Sequence, residues 1–248
     1  MRVAALYDIH GNLPALEAVL DEIGQAGVDQ IVVGGDVLPG PMPRETIARL
    51  QALDVPVHYI MGNGDREVLA VRRGVETGAV PEPFRELIRW NAQQLGVEDE
   101  QRIGSWPLTL RIQMPELGEV LCCHATPRND TEIFTRLTSD ERLAPVFAGI
   151  TAPLVVCGHT HMQFDRMACG IRIVNAGSVG MPFQEAGAYW LLLGPDVQLR
   201  RTDYDLEDAA ARIRATAYPQ AEEFAARSVL QPPSEAATLE QFSKFELS

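Results

Sequence analysis

Five short apolar runs in this chain each stop at an aspartate, an asparagine or a histidine, and that pattern leaves few folds open. VAALY (3–7) gives way to Asp8-Ile9-His10, and QIVVGG (30–35) ends at Asp36. VPVHYIMG (55–62) ends at Asn63, EVLCCHA (119–125) carries His124, and PLVVCGH (153–159) leads into Gly158-His159-Thr160-His161. Helical periodicity fills the first gaps. Leu13 to Gln25 repeats apolar residues at Leu13, Leu16, Val19, Leu20 and Ile23, and Arg44 to Leu53 reads as a second helix. Strands alternating with helices argue for crossover connections and a mainly parallel sheet. Parallel strands finish on one edge of their sheet, so polar residues at those ends converge.

The middle of the chain changes character. Asp65 to Arg73, with Asp65 as N-cap, and Pro83 to Leu95 read as further helices. LTLRIQM (108–114), a turn over 115–118 and EVLCCHA then read as an antiparallel hairpin. Strands continue through 153–159, 164–177, 188–193 and 197–204, and a helix-rich tail follows from Leu206, interrupted at Pro232 and Pro233. The expectation is an α/β fold of two sheets packed face to face with helices outside. One domain spans 1–205, and a C-terminal helical tail, 206–248, packs on it or extends from it.

Composition bounds the partners. The formal charge of -13, from 21 basic and 34 acidic residues, disfavours broad nucleic-acid binding, which depends on neutralising phosphates with Lys and Arg. A small phosphorylated substrate remains compatible, because bound cations reverse the field locally. No stretch approaches the ~18 apolar residues of a membrane helix. The opening MRVAALYDIHGN reads as a first strand rather than a signal peptide. Cys122, Cys123 and Cys157 sit in apolar runs and Cys169 lies apart, a pattern of reduced thiols without a CxxC pair. A cytoplasmic protein is expected, with room for a homo-oligomer and no membrane partner.

Each strand-end fragment is ordinary alone: Asp-x-His can be a cap and a surface histidine, Gly-Asp a turn, and His124 a core residue. Together they are not ordinary. Four of the five histidines belong to the set, and in three of the runs a glycine directly precedes the polar residue, which permits a sharp turn and close approach.

The chain resembles the calcineurin-like metallophosphoesterase superfamily through DxHGN at Asp8 to Asn12, GGD at Asp36, GNGD at Asn63, His124 in HATP, and GHTH at His159 to His161. Order and spacing agree over roughly residues 1 to 200, nearest to its small bacterial and archaeal phosphodiesterase-like branch. The resemblance implies a four-layer α/β/β/α sandwich of two mixed sheets flanked by helices. It also implies that Asp8, His10 and His161 hold one metal, that Asn63, His124 and His159 hold another, and that Asp36 bridges both. Asp36, Asn63 and His124 are then the catalytic residues.

Imidazole in the donor set favours two divalent ions of the Mn, Fe, Ni or Zn type, Mn2+ first, over Mg or Ca. Two such cations against Asp8, Asp36 and a bridging hydroxide leave the site positive by about one charge, and that hydroxide would attack phosphorus in line.

The family's usual motif is GNH[DE], where the histidine assists the leaving group or grips phosphate; here Gly64 stands in its place. General acid catalysis is typically worth about 10²–10⁴-fold, so diesters or activated esters are expected to fare better than alkyl monoesters. Phosphoprotein phosphatase and dinucleoside polyphosphate hydrolase are the alternative activities, and a non-catalytic metal-binding scaffold is the alternative class. Asn12 and Arg128 are the candidate substrate contacts; a helix cap and an exposed loop arginine are their other readings. His58 reads as structural, and Trp90, Trp106 and Trp190 as packing residues. Segments 64–107 and 126–150 are expected to set specificity.

Overall fold

The computed structural model describes residues 1–75 and 82–247. Its first sheet takes β1 (Val3–Leu6), β2 (Gln30–Val33), β3 (Val57–Tyr59), β9 (Ala188–Leu193) and β10 (Val197–Thr202) in the order β10-β9-β1-β2-β3. The second takes β4 (Thr109–Met114), β5 (Gly118–Cys123), β6 (Leu154–Cys157), β7 (Phe164–Ala168) and β8 (Ile171–Asn175) in the order β4-β5-β6-β8-β7. Strands β1, β2 and β3 run parallel, as do β5, β6 and β8, and antiparallel neighbours complete each sheet. Both sheets are therefore mixed, and all six of those parallel strands point their C-terminal ends at one edge.

Two-residue periodicity builds the sandwich. Val3 and Ala5 on β1, and Tyr7 just after it, face the second sheet and meet Val120, Cys122, Val156 and Val174 in a shared apolar layer. Ala4 and Leu6 face the other way, onto helix α1 (Leu13–Ala26) and helix α2 (Pro43–Gln51). The α1 residues with the helical period, Leu13, Leu16, Val19, Leu20 and Ile23, are all buried. Each such side chain contributes roughly 1.5–3 kcal/mol by leaving water.

The outer face of the second sheet buries Leu121, Cys123, Val155 and Ile173 against Phe134 and helix α6 (Asp140–Phe147). Helices thus cover both outer faces, giving the four layers expected. Cys122, Cys123 and Cys157 are buried free thiols; Cys169 is exposed.

The tail joins the same body. Helix α7 (Leu206–Arg214), the short α8 (Ala221–Phe224) and a π-helical turn over Ala225–Leu230 gather Ala209, Ala210, Ile213, Tyr218, Phe224 and Val229 against Leu13, Met42 and Leu87. Leu87 belongs to α4 (Glu82–Gln94), which packs beside α3 (Asn63–Arg72). Among the described residues no helix is long and apolar enough to cross a membrane.

Sequence periodicity misses two helices. One is α5 (Val97–Ile103), short and buried only at Ile103; the other is α6, whose Pro145 interrupts any helical pattern. Asp65 also sits elsewhere than expected. The N-cap position of α3 is Gly62, and Asp65 is its third helical residue.

Candidate metal centre

The loops that follow β1 and β2 extend their ladder beyond the strands. Asp8 N donates to Gly35 O, His10 N to Asp36 O, and Gly11 N to Val37 O. Within this stretch the backbone turns left-handed at Asp8, His10 and Asp36, with φ of 53°, 47° and 52°. His159 and His161, after β6, do the same at 67° and 57°. Non-glycine residues adopt this region rarely and at a cost, and such strain collects at functional sites. Among the described residues only Cys169 and Leu247 share it outside the site.

The seven candidate ligands come together at the shared strand edge. Nε2 of His161 stands 3.3 Å from Asp8 Oδ1 and 3.3 Å from Nε2 of His10. Oδ2 of Asp36 stands 3.7 Å from Nε2 of His10 and 3.5 Å from Nε2 of His124. Asp36 thus lies between the two groups of imidazoles, where a bridging carboxylate belongs. Asp8 Oδ1 is also 3.9 Å from both His10 and His124, so it faces the same central space. On the far side, the Asn63 side-chain amide is 3.0 Å from His124 Nε2 and 2.9 Å from His159 Nδ1.

Backbone carbonyls orient every imidazole. His10 Nδ1 meets Pro39 O at 3.1 Å, His124 Nδ1 meets Gly34 O at 3.0 Å, and His161 Nδ1 meets Met181 O at 2.6 Å. His159 is turned the other way: its Nε2 meets Thr131 O at 3.2 Å and its Nδ1 faces Asn63. A ring N–H held by a carbonyl leaves the opposite nitrogen's lone pair facing inward, the arrangement typical behind metal-bound histidines.

The residues fit cations. Asp8 Oδ1 is buried without a hydrogen-bond partner, a costly state unless a positive charge faces it. Without an ion the Asn63 amide satisfies its neighbours best with its nitrogen toward His159 Nδ1, His124 Nε2 and Asp130 O; a cation there would take the oxygen instead, making Asn63 the seventh donor. Asp8, His10 and His161 would hold one ion and Asn63, His124 and His159 the other, with Asp36 between them. Mixed nitrogen and oxygen donors suit Mn, Fe, Ni or Zn.

Charges are already arranged for this. Burial alone would raise Asp8, but the facing His161 and His124 hold it below the usual carboxylate range. Burial likewise opposes Asp36, and His124 wins, holding it far below. Burial works against charging His124 too, yet Asp36 pushes it up to about 10. Burial, reinforced by the positive His124, pushes His159 down to about 4, and burial lowers His10.

Several positioning residues escape a sequence reading. The Asp65 carboxylate accepts from Asp36 N at 2.8 Å, Leu38 N at 2.9 Å and Gly62 N at 3.1 Å, tying the ends of β2 and β3 together. Burial and the neighbouring Asp36 push it up to about 8 against the Leu38 and Gly62 donors. Asn175 Nδ2 donates to Gly158 O at 2.6 Å and holds the Gly-His-Thr-His loop, while Ser178 Oγ donates to Asp8 O at 2.7 Å. The three-residue spacing of Gly62 and Asp65 is the one local signal for any of these.

Both proposed substrate contacts are otherwise engaged. Asn12 is fully buried; its oxygen accepts from Ala15 N at 3.2 Å, and its amide donates to Gly180 O at 2.9 Å. It caps α1, and no polar group of its side chain is left for a substrate. Arg128 is exposed and grips Glu132 through Nε and Nη2 at 3.0 and 2.7 Å, with Nη1 on Pro145 O. It borders a cleft of about 210 Å³ beside His124, but its fork is closed on Glu132. His58 is exposed and bonds Gln30, Trp106 stacks on Tyr59, Trp190 is buried, and Trp90 packs edge-on against Tyr218.

Comparison with known proteins agrees with this geometry. Residues 1–195 match the calcineurin-like phosphoesterase superfamily domain. An uncharacterized protein of Methanocaldococcus jannaschii is 26% identical over 239 residues, covering 88% of this chain and 94% of that one. The crystal structure of a metallophosphoesterase from Sphaerobacter thermophilus superposes with a TM-score of 0.72 at 26% identity, covering 92% and 99% of the two chains. Phosphodiesterase YfcE of Escherichia coli K12 is 36% identical over 77 residues, 27% of this chain and less than half, 42%, of that enzyme. The chain belongs to the calcineurin-like phosphoesterase superfamily and is a metal-dependent phosphoesterase.

Proposed function

We propose that this chain hydrolyses phosphodiesters in preference to phosphomonoesters, at a centre of two divalent cations held by Asp8, His10, Asp36, Asn63, His124, His159 and His161. The carrying observation is Asp36 Oδ2, set 3.7 and 3.5 Å from imidazoles of opposite groups beside the partnerless Asp8 oxygen. When bound, the cations supply a hydroxide nucleophile at neutral pH for in-line attack on phosphorus and neutralise charge developing on its oxygens. The protein's part is to hold the donors in fixed directions and keep three of the four imidazoles nearly buried.

The diester preference rests on Gly64. No side chain there can protonate a poor leaving group, and the space is closed. A Cβ on Gly64 would stand 2.4 Å from Leu38 O and 2.8 Å from the Pro39 ring, and the Gly64 N–H is already bonded to Asp36 Oδ1 at 2.7 Å. The similarity to a phosphodiesterase over 77 residues supports the same reading. Manganese is the first choice of metal, and a small phosphorylated molecule in the cytoplasm is the proposed partner.

The test is hydrolysis of bis(p-nitrophenyl) phosphate beside p-nitrophenyl phosphate, with metal-stripped protein resupplied with Mn²⁺, Ni²⁺, Zn²⁺ or Mg²⁺. Metal-dependent turnover of the diester above the monoester is expected. Faster monoester cleavage would overturn the preference, and no turnover with two metals bound would overturn the activity.

A further inference from the structure

A cleft of about 620 Å³ opens directly from the metal ligands, with His10, Asp36 and Asn63 on its wall. Its other walls are mainly apolar. Phe84, Leu87 and Ile88 come from α4, Phe183 from the loop after β8, and Tyr218 and Phe224 from the tail. Phe84 is 54% exposed there, an aromatic face turned to water inside a concave surface. The cleft and the metal centre are one construction. Phe183 stacks on the His161 ring at 4.6 Å, and Met181, also on the wall, supplies the carbonyl that orients His161.

Charge narrows the occupant further. Among the described residues the charged side chains on this wall beyond the metal ligands are Glu67, which is paired with Arg66 at 2.8 Å, Glu223 and Arg227, so the lining away from the ligands has no net positive charge. A second phosphate or a carboxylate on the substrate would meet little compensation there, whereas a hydrocarbon would displace water from apolar walls.

We propose that this cleft binds an uncharged alkyl or aryl substituent of the phosphoester, with the phosphoryl group at the metal ligands. The tail and α4 together thereby select the substrate's organic part. The family match ends at residue 195, so the walls made by Tyr218 and Phe224 lie outside it. This inference rests on the reading of the metal cluster as a phosphoester site.

The experiment uses the full-length, manganese-loaded protein and phosphonates with a single substituent. Binding of methyl-, butyl- and hexylphosphonate is measured by calorimetry and by inhibition of diester hydrolysis. Affinity is expected to rise about three- to fourfold per methylene until the cleft is filled. It should fall for 3-phosphonopropanoate, whose carboxylate would enter the cleft, relative to butylphosphonate. Phe84→Ser should lower the hexyl-to-methyl affinity ratio by about tenfold or more. A flat series with methylphosphonate bound, tighter binding of the carboxylate, or an unaltered ratio in Phe84→Ser would each overturn the proposal. A protein that binds neither phosphonates nor inorganic phosphate and cleaves no diester would remove the phosphoester reading itself, and this inference with it.

Discussion

Nε2 of His124 stands 3.5 Å from Oδ2 of Asp36 with both side chains buried, so the pair shares a proton's charge until a cation takes its place. In the metal-free protein Asp36 holds His124 up to about 10, against the cost of burial, so the ring is protonated at neutral pH. Metal binding must displace that proton, because only the neutral nitrogen is a ligand. His159, pushed down to about 4, needs no such exchange. Affinity for Mn²⁺ should therefore strengthen by about tenfold per unit from about pH 6.5 to 8.5. The same raised value means that the ion pair's stabilisation of the metal-free protein is complete below about pH 6.5 and is lost as pH rises through about 10. Calorimetric titration with Mn²⁺ at several pH values checks the first statement; a flat profile would contradict it.

Asp36→Asn keeps the shape of the side chain and removes the charge between the two imidazole groups. Metal content should fall below two per chain, and diester turnover should fall by at least about a hundredfold, the upper end of what losing a ligand's supporting partner alone costs. Elemental analysis beside the assay reads both. Retained activity would remove Asp36 from its bridging place.

Asp65→Asn tests a positioning residue. Above about pH 8, where it is ionised, Asp65 accepts three backbone N–H groups through two oxygens. An amide supplies one oxygen and turns an NH₂ toward a donor, leaving a buried N–H unpaired at about 1–3 kcal/mol. A loss of unfolding free energy of that size, read from a denaturant titration above about pH 8, is expected, together with weaker Mn²⁺ binding because the Asp36 loop loses its tie. Unchanged metal affinity in a destabilised variant would confine Asp65 to a purely structural role.

Restoring the family's histidine should fail. In an open slot, Gly64→His would add a general acid and raise alkyl monoester hydrolysis by about 10²–10⁴-fold. With Leu38 O only 2.4 Å from the new Cβ, the backbone must move and the Gly64 bond to Asp36 is disturbed. Lower thermal stability and no gain in monoester rate are expected, with Gly64→Ala showing the same loss of stability. A monoester gain in a stable variant would contradict this account of Gly64.

Much of this site could be read from the sequence because its ligands follow apolar runs. A strand end is a place that local periodicity can locate, and parallel strands bring their ends together without further information. Asn12 and Arg128 were harder, since what decides them is a partner. Pro14 just after Asn12 favours a helix start, and Glu132 four residues beyond Arg128 is near enough to close the guanidinium. Asp65 lies in the stretch expected to be helical, but its bonds to Asp36 and Leu38 span 29 and 27 residues, which no local pattern reports. The cleft is the clearest case. Segments 64–107 and 126–150 do contribute Phe84 and Thr131, but Tyr218 and Phe224 come from the tail, more than a hundred residues beyond α4. Long-range packing of an apolar tail face decides that wall, and periodicity shows only that such a face exists.

The most direct test of the central claim is to titrate metal-stripped protein with Mn²⁺ while following bound metal and bis(p-nitrophenyl) phosphate turnover in the same samples. Two ions per chain are expected, with turnover emerging as the second binds. Full turnover at one ion per chain, or none with two bound, would contradict that claim.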